Sequence, residues 1–280
     1  MEYVGRVPGA PLDWYVDDVY CLSGAPRHRR LTVPPMPSAH LFLNLAGPVR
    51  LYDANPAVAP VVLSDGWFMG MRTRRFVIEF PSVVRVVGVH FKPWGLSPFL
   101  DVPSAELRDR CVPMDAVWGR SPQRVRDRIG EAGSAGAALD AVEDELLSRL
   151  VPAPPGGLTL VRRTAGLLHS SWGAVPVGAL TDAAGVSGTH LATQYKLHLG
   201  VTPKRVARIY RFARLVLSLD ARGPVDWAEL AHDCGYFDQA HFSKEFKDFT
   251  GLTPTDYLAL RRRFPAAAGF PPDHGPIPAE

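Results

Sequence analysis

Two segments in the last third of this chain copy each other. Leu180-Thr181-Asp182-Ala183-Ala184-Gly185 lines up with Leu230-Ala231-His232-Asp233-Cys234-Gly235 at an offset of 50 residues. Leu191, Tyr195 and Gly200-Val201-Thr202-Pro203 line up with Phe242, Phe246 and Gly251-Leu252-Thr253-Pro254 at an offset of 51. A repeat of this kind means that one supersecondary unit is built twice. Each copy reads as a helix, a tight turn and a second helix. Gly185 and Gly235 stand where the chain leaves the first helix and turns sharply, a place for a residue free to adopt positive φ. Ser187 and Asp238 are the expected N-caps of the second helices. Those helices are expected to bury Leu191, Tyr195 and Leu199 in the first copy and Phe242, Phe246 and Phe249 in the second, all at helical spacing.

The opposite faces carry Thr189, Ala192, Thr193 and Lys196 in the first copy, and Gln239, Ala240, Ser243, Lys244 and Lys247 in the second. Small, amide and cationic side chains on one exposed face suit a helix lying in the major groove of double-stranded DNA. Between the copies, Lys204 to about Ser218 reads as one long helix with Val206, Ile209, Tyr210, Ala213 and Leu217 on its apolar side. At about 1.5 Å per residue it spans roughly 22–27 Å. With half a helix diameter added at each end, the two exposed faces would lie near one DNA turn, about 34 Å, apart. One monomer would then address two successive major grooves.

The rest of the chain divides around this repeat. Val151-Pro152-Ala153-Pro154-Pro155-Gly156-Gly157 combines residues that stop helices with residues that loosen the chain, and reads as a linker over 151–157. Before it, residues 1–150 are expected to be β-rich. His40–Leu45, Val49–Tyr52, Val61–Leu63, Arg75–Phe80 and Val83–Phe91 are short runs of β-branched and aromatic residues bounded by Gly, Asp, Asn and Pro. Helices are expected over Ser121–Gly130 and Ala137–Leu150. After the linker, 158–263 is all helical, and the Pro/Ala/Gly-rich tail 264–280 is expected to be disordered. The fold class is therefore α+β: a β-rich, cupin-like N-terminal domain, then an all-α domain of two helix-turn-helix units joined by a long helix.

Charge and cysteine content agree with such a plan without demanding it. Residues 158–263 hold 14 Lys and Arg against 9 Asp and Glu, so the modest net charge of +3 is concentrated there. Three widely separated cysteines argue against a disulfide framework and predict a reducing, cytoplasmic setting. No run of about 18 apolar residues predicts a spanning helix, the start of the chain lacks an apolar segment of signal-peptide length, and no membrane partner is expected.

The run Gly235-Tyr236-Phe237-Asp238-Gln239-Ala240-His241-Phe242-Ser243-Lys244-Glu245-Phe246-Lys247, followed by Gly251-Leu252-Thr253-Pro254-Thr255-Asp256-Tyr257, resembles the signature of AraC/XylS-type transcription regulators. The resemblance covers about residues 160–263. A shorter one, carried by Val87–Gly95, Pro98-Phe99 and Val102–Leu107, relates the N-terminal half to the effector or dimerisation domain of one branch of these regulators. The resemblance implies a sequence-specific DNA-binding transcription regulator, with a lean toward activation. Its implied partners are double-stranded DNA, RNA polymerase, a small-molecule effector and a second copy of the chain. It also places the base-reading positions on Thr189, Ala192 and Thr193 in the first copy and on Gln239, Ala240 and Lys244 in the second. Thr and Ala lack the bidentate guanine contact that Arg makes. The first unit is therefore expected to read weakly, through thymine methyl contacts, while the second supplies most hydrogen-bonded readout.

Other features admit plainer readings. Phe242, Phe246 and Phe249 are expected to be core rather than a stacking platform for bases. His232, Cys234 and His241 are close in sequence but are expected to face different ways, with Cys234 buried and His241 touching a phosphate or packing. His40 and His90 are metal-ligand candidates in a cupin-like barrel. Without the accompanying carboxylate and closely spaced His pair they read as satisfied structural histidines, and no metal or other cofactor is expected. Arg72, Arg74 and Arg75 read as a solvated loop, with an anionic effector as the alternative. Trp67, Phe68, Trp94 and Phe99 either line a pocket or pack. Arg205, Arg208, Arg211 and Arg214 are divided between phosphates and acidic partners, with no individual assignment. The chain holds no nucleophile elbow, Walker loop or dinucleotide fingerprint, so no catalytic residues are expected. Two rival readings remain: an enzyme with metal chemistry in the barrel, and an interaction module that has kept the helix-turn-helix shape without DNA binding.

Overall fold

Alternation along the strands explains the N-terminal half. The computed structural model describes residues 1–119, 121–151, 156–264 and 276–279. Its strands are β1 (Glu2–Arg6), β2 (Val16–Gly24), β3 (Arg30–Val33), β4 (Ala39–Asn44), β5 (Val49–Asp53), β6 (Val61–Leu63), β7 (Gly66–Met69), β8 (Phe76–Glu79), β9 (Val84–Phe91), β10 (Cys111–Pro113) and β11 (Ile277–Pro278). Among the described residues they form two antiparallel sheets, ordered β1-β2-β9-β4-β7-β10 and β11-β3-β8-β5-β6. In the larger sheet Val19, Leu41, Phe68, Val87, Val89 and Phe91 point to one side and join the main core. The residues between them, including Tyr20, Phe42 and Trp67, point to the other side, toward the smaller sheet. Both faces are covered, so apolar residues occur in both phases of the alternation.

Helices cover the back of the larger sheet. They are α1 (Met114–Trp118), α2 (Ser121–Gly130) and α3 (Ala135–Arg149). Leu139, Val142 and Leu146 of α3 are buried in the same core as Val19 and Phe91. Ser134 caps α3 by accepting from the Ala137 amide at 3.2 Å.

The C-terminal half begins with α4 (Gly156–Ser170), so the glycines read as linker already belong to a helix. Residues 152–155 of the expected linker lie outside the described residues. The repeat follows as α5 (Val177–Ala184), α6 (Gly188–Leu199), α7 (Pro203–Ser218), α8 (Trp227–Asp233), α9 (Gln239–Thr250) and α10 (Pro254–Arg263). Its two copies agree down to backbone angles. Gly185 and Gly235 leave the first helices at φ +67° and +83°, and Gly200 and Gly251 close the second helices at +75° and +81°. Thr202 and Thr253 cap α7 and α10, each with Pro at the first position, where its missing N–H costs nothing.

The tail expected to be disordered differs in part. Residues 265–275 and 280 lie outside the described residues. Ile277 and Pro278, however, pair with Thr32 and Leu31 of β3. Ile277 is buried, and Arg261 of α10 reaches the Pro276 carbonyl at 3.4 Å. A Pro/Ala/Gly-rich composition signals the absence of a self-sufficient core; it carries no information about an apolar residue that finds one elsewhere in the chain.

Candidate nucleic-acid interface

Each second helix of the repeat is a capped, two-faced rod. Ser187 accepts from the His190 amide at 3.2 Å, and Asp238 accepts from the His241 amide at 2.6 Å. Leu191, Tyr195 and Leu199 of α6, and Phe242, Phe246 and Phe249 of α9, are buried. On the outer faces Thr189, Thr193, Lys196, Gln239, Ala240, Lys244 and Lys247 are exposed, while Ala192 and Ser243 are half-buried. At the offset of 51, Thr189 corresponds to Ala240, Ala192 to Ser243, Thr193 to Lys244 and Lys196 to Lys247. The Thr193 hydroxyl donates to the Thr189 carbonyl at 2.9 Å, so its methyl group and lone pairs are what it offers outward. α7, which joins the two units, is 16 residues long, or about 24 Å at 1.5 Å per residue.

Several residues that hold this arrangement were not singled out from the sequence. Glu245 lies in the middle of α9 yet is only 1% exposed. It accepts from Arg208 of α7 at 2.5 Å and from the Tyr236 hydroxyl at 3.0 Å. Proximity to this carboxylate adds to burial in raising the Tyr236 pKa. Phe237, one residue before the Asp238 cap, is 98% exposed. The arginines of α7 face other protein groups more than solvent. Arg205 donates to the Thr73 carbonyl, Arg208 pairs with Glu245, and the Arg211 guanidinium lies 5.7 Å from the Tyr236 ring centre. Cys234 is buried, whereas His232 and His241 are exposed. Among the described residues no group of three or more His, Cys, Asp or Glu is placed to hold a metal ion.

The N-terminal domain touches both units at their helix ends. His198, near the end of α6, is hydrogen-bonded to Ser97 at 2.9 Å, and Arg108 reaches the Gly200 carbonyl at 3.5 Å. On the second unit the contact comes from residues 72–75, between β7 and β8. Thr73 is fixed by Asp109, which accepts from its amide and its hydroxyl at 2.6 Å each. The Thr73 carbonyl then takes the Arg205 guanidinium. Arg75 lies against Gly251, close enough that a methyl group there would stand 2.7 Å from the guanidinium carbon. A cation is favoured at this place, because the last carbonyls of α9 are the negative end of the helix dipole.

The same short segment reaches a cavity of about 110 Å³ between the two sheets. A row of rings forms one wall: Tyr3 on Tyr20 (5.4 Å between centres), Tyr20 on His90 (4.5 Å), His90 on His40 (4.9 Å), His40 on Phe42 (5.4 Å) and Phe42 on Trp67 (5.2 Å). The strand register makes His40 and His90 direct cross-strand neighbours. Gly88 leaves space for Tyr20, since a Cβ there would fall 2.2 Å from its ring. His90 is bonded to Asp18 at 2.9 Å. His40 departs from the expected satisfied histidine: Nε2 meets Ser38 at 3.1 Å, but its buried Nδ1 has no partner among the described residues. Burial, then the adjacent His90, hold its pKa well below the usual histidine value.

The arginine cluster also departs from the expected solvated loop. Its members separate in three directions. Arg72 is buried against the cavity with its Nε unpartnered among the described residues, Arg74 is exposed beside Asp53 at 3.7 Å, and Arg75 meets α9. Of the four aromatics that were open between pocket and packing, Trp67 lines the cavity, while Phe68, Trp94 and Phe99 belong to the main core.

Residues 180–263 match a family described as a helix-turn-helix domain, and residues 6–113 match a domain of unknown function. No curated protein matches the chain. Among solved structures, ToxT from Vibrio cholerae is similar at 11% identity and a TM-score of 0.48, over 92% of this chain and 98% of that one. The C-terminal domain of AraT, a response regulator from Geobacillus stearothermophilus, is 25% identical with a TM-score of 0.32, over 40% of this chain and 89% of that one. Among the described residues no helix is long and apolar enough to cross a membrane.

Proposed function

We propose, for a chain that carries the DNA-binding helix-turn-helix domain of AraC/XylS-type transcription regulators, that α6 and α9 enter successive major grooves of one duplex under the control of a small molecule held by the N-terminal domain. The observation that carries the first part is the duplication of the outer face. Two capped helices present equivalent positions to solvent, and a 16-residue helix of about 24 Å joins them, which with half a helix diameter at each end comes near one DNA turn. Lys196, Lys244 and Lys247 supply phosphate or base contacts, and Gln239 and Lys244 supply hydrogen-bonded readout. Thr189, Ala192 and Thr193 offer methyl contacts to thymine.

Control by a small molecule is supported by residues 72–75. Arg72 faces the cavity, while Thr73 and Arg75 are held against α7 and the end of α9. A ligand that prefers one arrangement of this segment shifts the DNA-binding domain by its differential affinity. Selection of bound duplexes from a random pool, with the full chain at about 0.15 M salt, tests the DNA reading. Enrichment of two elements 10–10.5 base pairs apart is the expected result. Salt-sensitive binding without any enrichment would favour the interaction-module reading instead.

A further inference from the structure

We propose that the cavity between the two sheets is a binding site for a small monocarboxylate, its carboxylate on the Arg72 guanidinium and its compact apolar body against the ring wall. This rests on the reading of the N-terminal domain as a small-molecule sensor and names the chemistry of what is sensed.

Three buried polar groups that line this one cavity, Arg72, Trp67 and His40, each keep a nitrogen without a hydrogen-bond partner among the described residues. Arg72 is 9% exposed and has no hydrogen bond or ion pair among the described residues, and its guanidinium carbon lies 4.8 Å from the centre of the Phe76 ring. Arg208 is satisfied by Glu245, Arg205 by the Thr73 carbonyl and Arg261 by Tyr257 and Pro276, while Arg211, whose Nε is also unpartnered among the described residues, lies by the Tyr236 ring and away from this cavity. The indole N–H of Trp94 donates to the Trp14 carbonyl at 2.9 Å and that of Trp118 to the Phe99 carbonyl at 2.8 Å. Trp67, 2% exposed, has no acceptor. His40 keeps one ring nitrogen for Ser38 and leaves the other unpaired.

These groups define what completes them. A guanidinium and an indole N–H are donors only, so the missing partner is an acceptor. One buried positive charge without a counter-charge asks for one negative charge, and a carboxylate matches the guanidinium fork in both geometry and charge. A neutral His40 can add a donor, with Ser38 donating to its other nitrogen. The remaining walls, among them Leu22, Val33, Ile78 and Phe80, are apolar. A cavity near 110 Å³ is of the order that holds a single ring, so the body is a single ring or a short branched chain.

The test is calorimetric titration of the full chain, without DNA, with benzoate and 3-methylbutanoate, each beside its neutral amide. Saturable binding of at least one acid, with its amide weaker by tenfold or more, is expected. R72M is expected to lose at least tenfold in affinity for that acid, R72K to recover part of it, and R74A to bind as the wild type. Binding of neither acid, equal binding of acid and amide, or unchanged binding by R72M would overturn the proposal. The acid–amide comparison on the wild-type chain stands even where R72M fails to fold. Because no DNA is present, failure here leaves the duplex-selection result untouched.

Discussion

Lys244 and Thr193 occupy equivalent exposed positions in the two copies and present different chemistry to solvent. Lys244→Ala is expected to cost about 1–3 kcal/mol of binding to the preferred duplex and to relax preference at one base pair. Thr193→Ala should change affinity less, because its hydroxyl is already engaged by its own helix. Titrations on duplexes varied one base pair at a time check this, and loss of preference on the Thr193 side alone would reverse the assignment. Glu245 belongs to the same helix but acts inward. Glu245→Gln leaves Arg208 without its carboxylate and should destabilise the fold by about 3 kcal/mol, near the lower end for a broken buried pair because Arg208 is 28% exposed. Thermal unfolding measures this, and a loss under about 1 kcal/mol would contradict it. His40 carries a pH prediction. Its folded-state pKa is depressed by burial and by His90, itself bonded to Asp18, so the unfolded state takes up the proton first as pH falls. Its contribution to stability is complete above about pH 6.5, the ordinary histidine value, and shrinks as pH drops below it. Unfolding curves should show a smaller acid loss for His40→Gln than for the wild type, and equal slopes would count against a buried neutral ring.

The helical elements were legible because local chemistry defines them. Ser187, Asp238 and the four turn glycines announce their helices within a few residues, and the repeat cross-checks each assignment. The strands were legible only where apolar runs are continuous. β2 contains Asp17-Asp18, and β3, β7 and β10 are short segments that pair with strands well separated from them along the chain. Pairing across such separations sets their register, and no local pattern encodes it. The cavity was hidden for the same reason: His40 and His90, or Phe42 and Trp67, become neighbours only when β4, β7 and β9 pair. Gly185 and Gly251 provide a test at this scale. Both adopt left-handed backbone, so alanine at either should cost about 1–2 kcal/mol. Nothing lies near the added methyl at 185, whereas at 251 it displaces Arg75 from the end of α9. Gly251→Ala should therefore lose about 0.3–1 kcal/mol more, and that excess should vanish in a chain already carrying Arg75→Ala. An excess that persists there would mean that Arg75 contributes nothing at this helix end.

At the scale of the whole molecule, two of the segments that join the N-terminal half to the DNA-binding half also line the cavity: residues 72–75 and the stretch that ends in the short strand β11. Arg72 faces the cavity while Thr73 and Arg75 meet α7 and α9. Pro276 lines the cavity while Arg261 of α10 holds its carbonyl. A ligand in the cavity therefore touches segments that the DNA-binding helices also touch, the arrangement that reciprocal coupling between two sites requires. That coupling has meaning only if α6 and α9 act together on DNA. The most direct measurement is a hydroxyl-radical footprint of the full chain on a duplex enriched by selection. Two protected windows on one face of the helix, centred about 10–10.5 base pairs apart, are the predicted result. One of the two windows, that of α9, should be lost in a chain with Gln239→Ala and Lys244→Ala, leaving the α6 window weaker but in place. A single window in the wild-type footprint, or two on opposite faces, would contradict the claim that both helices read successive grooves.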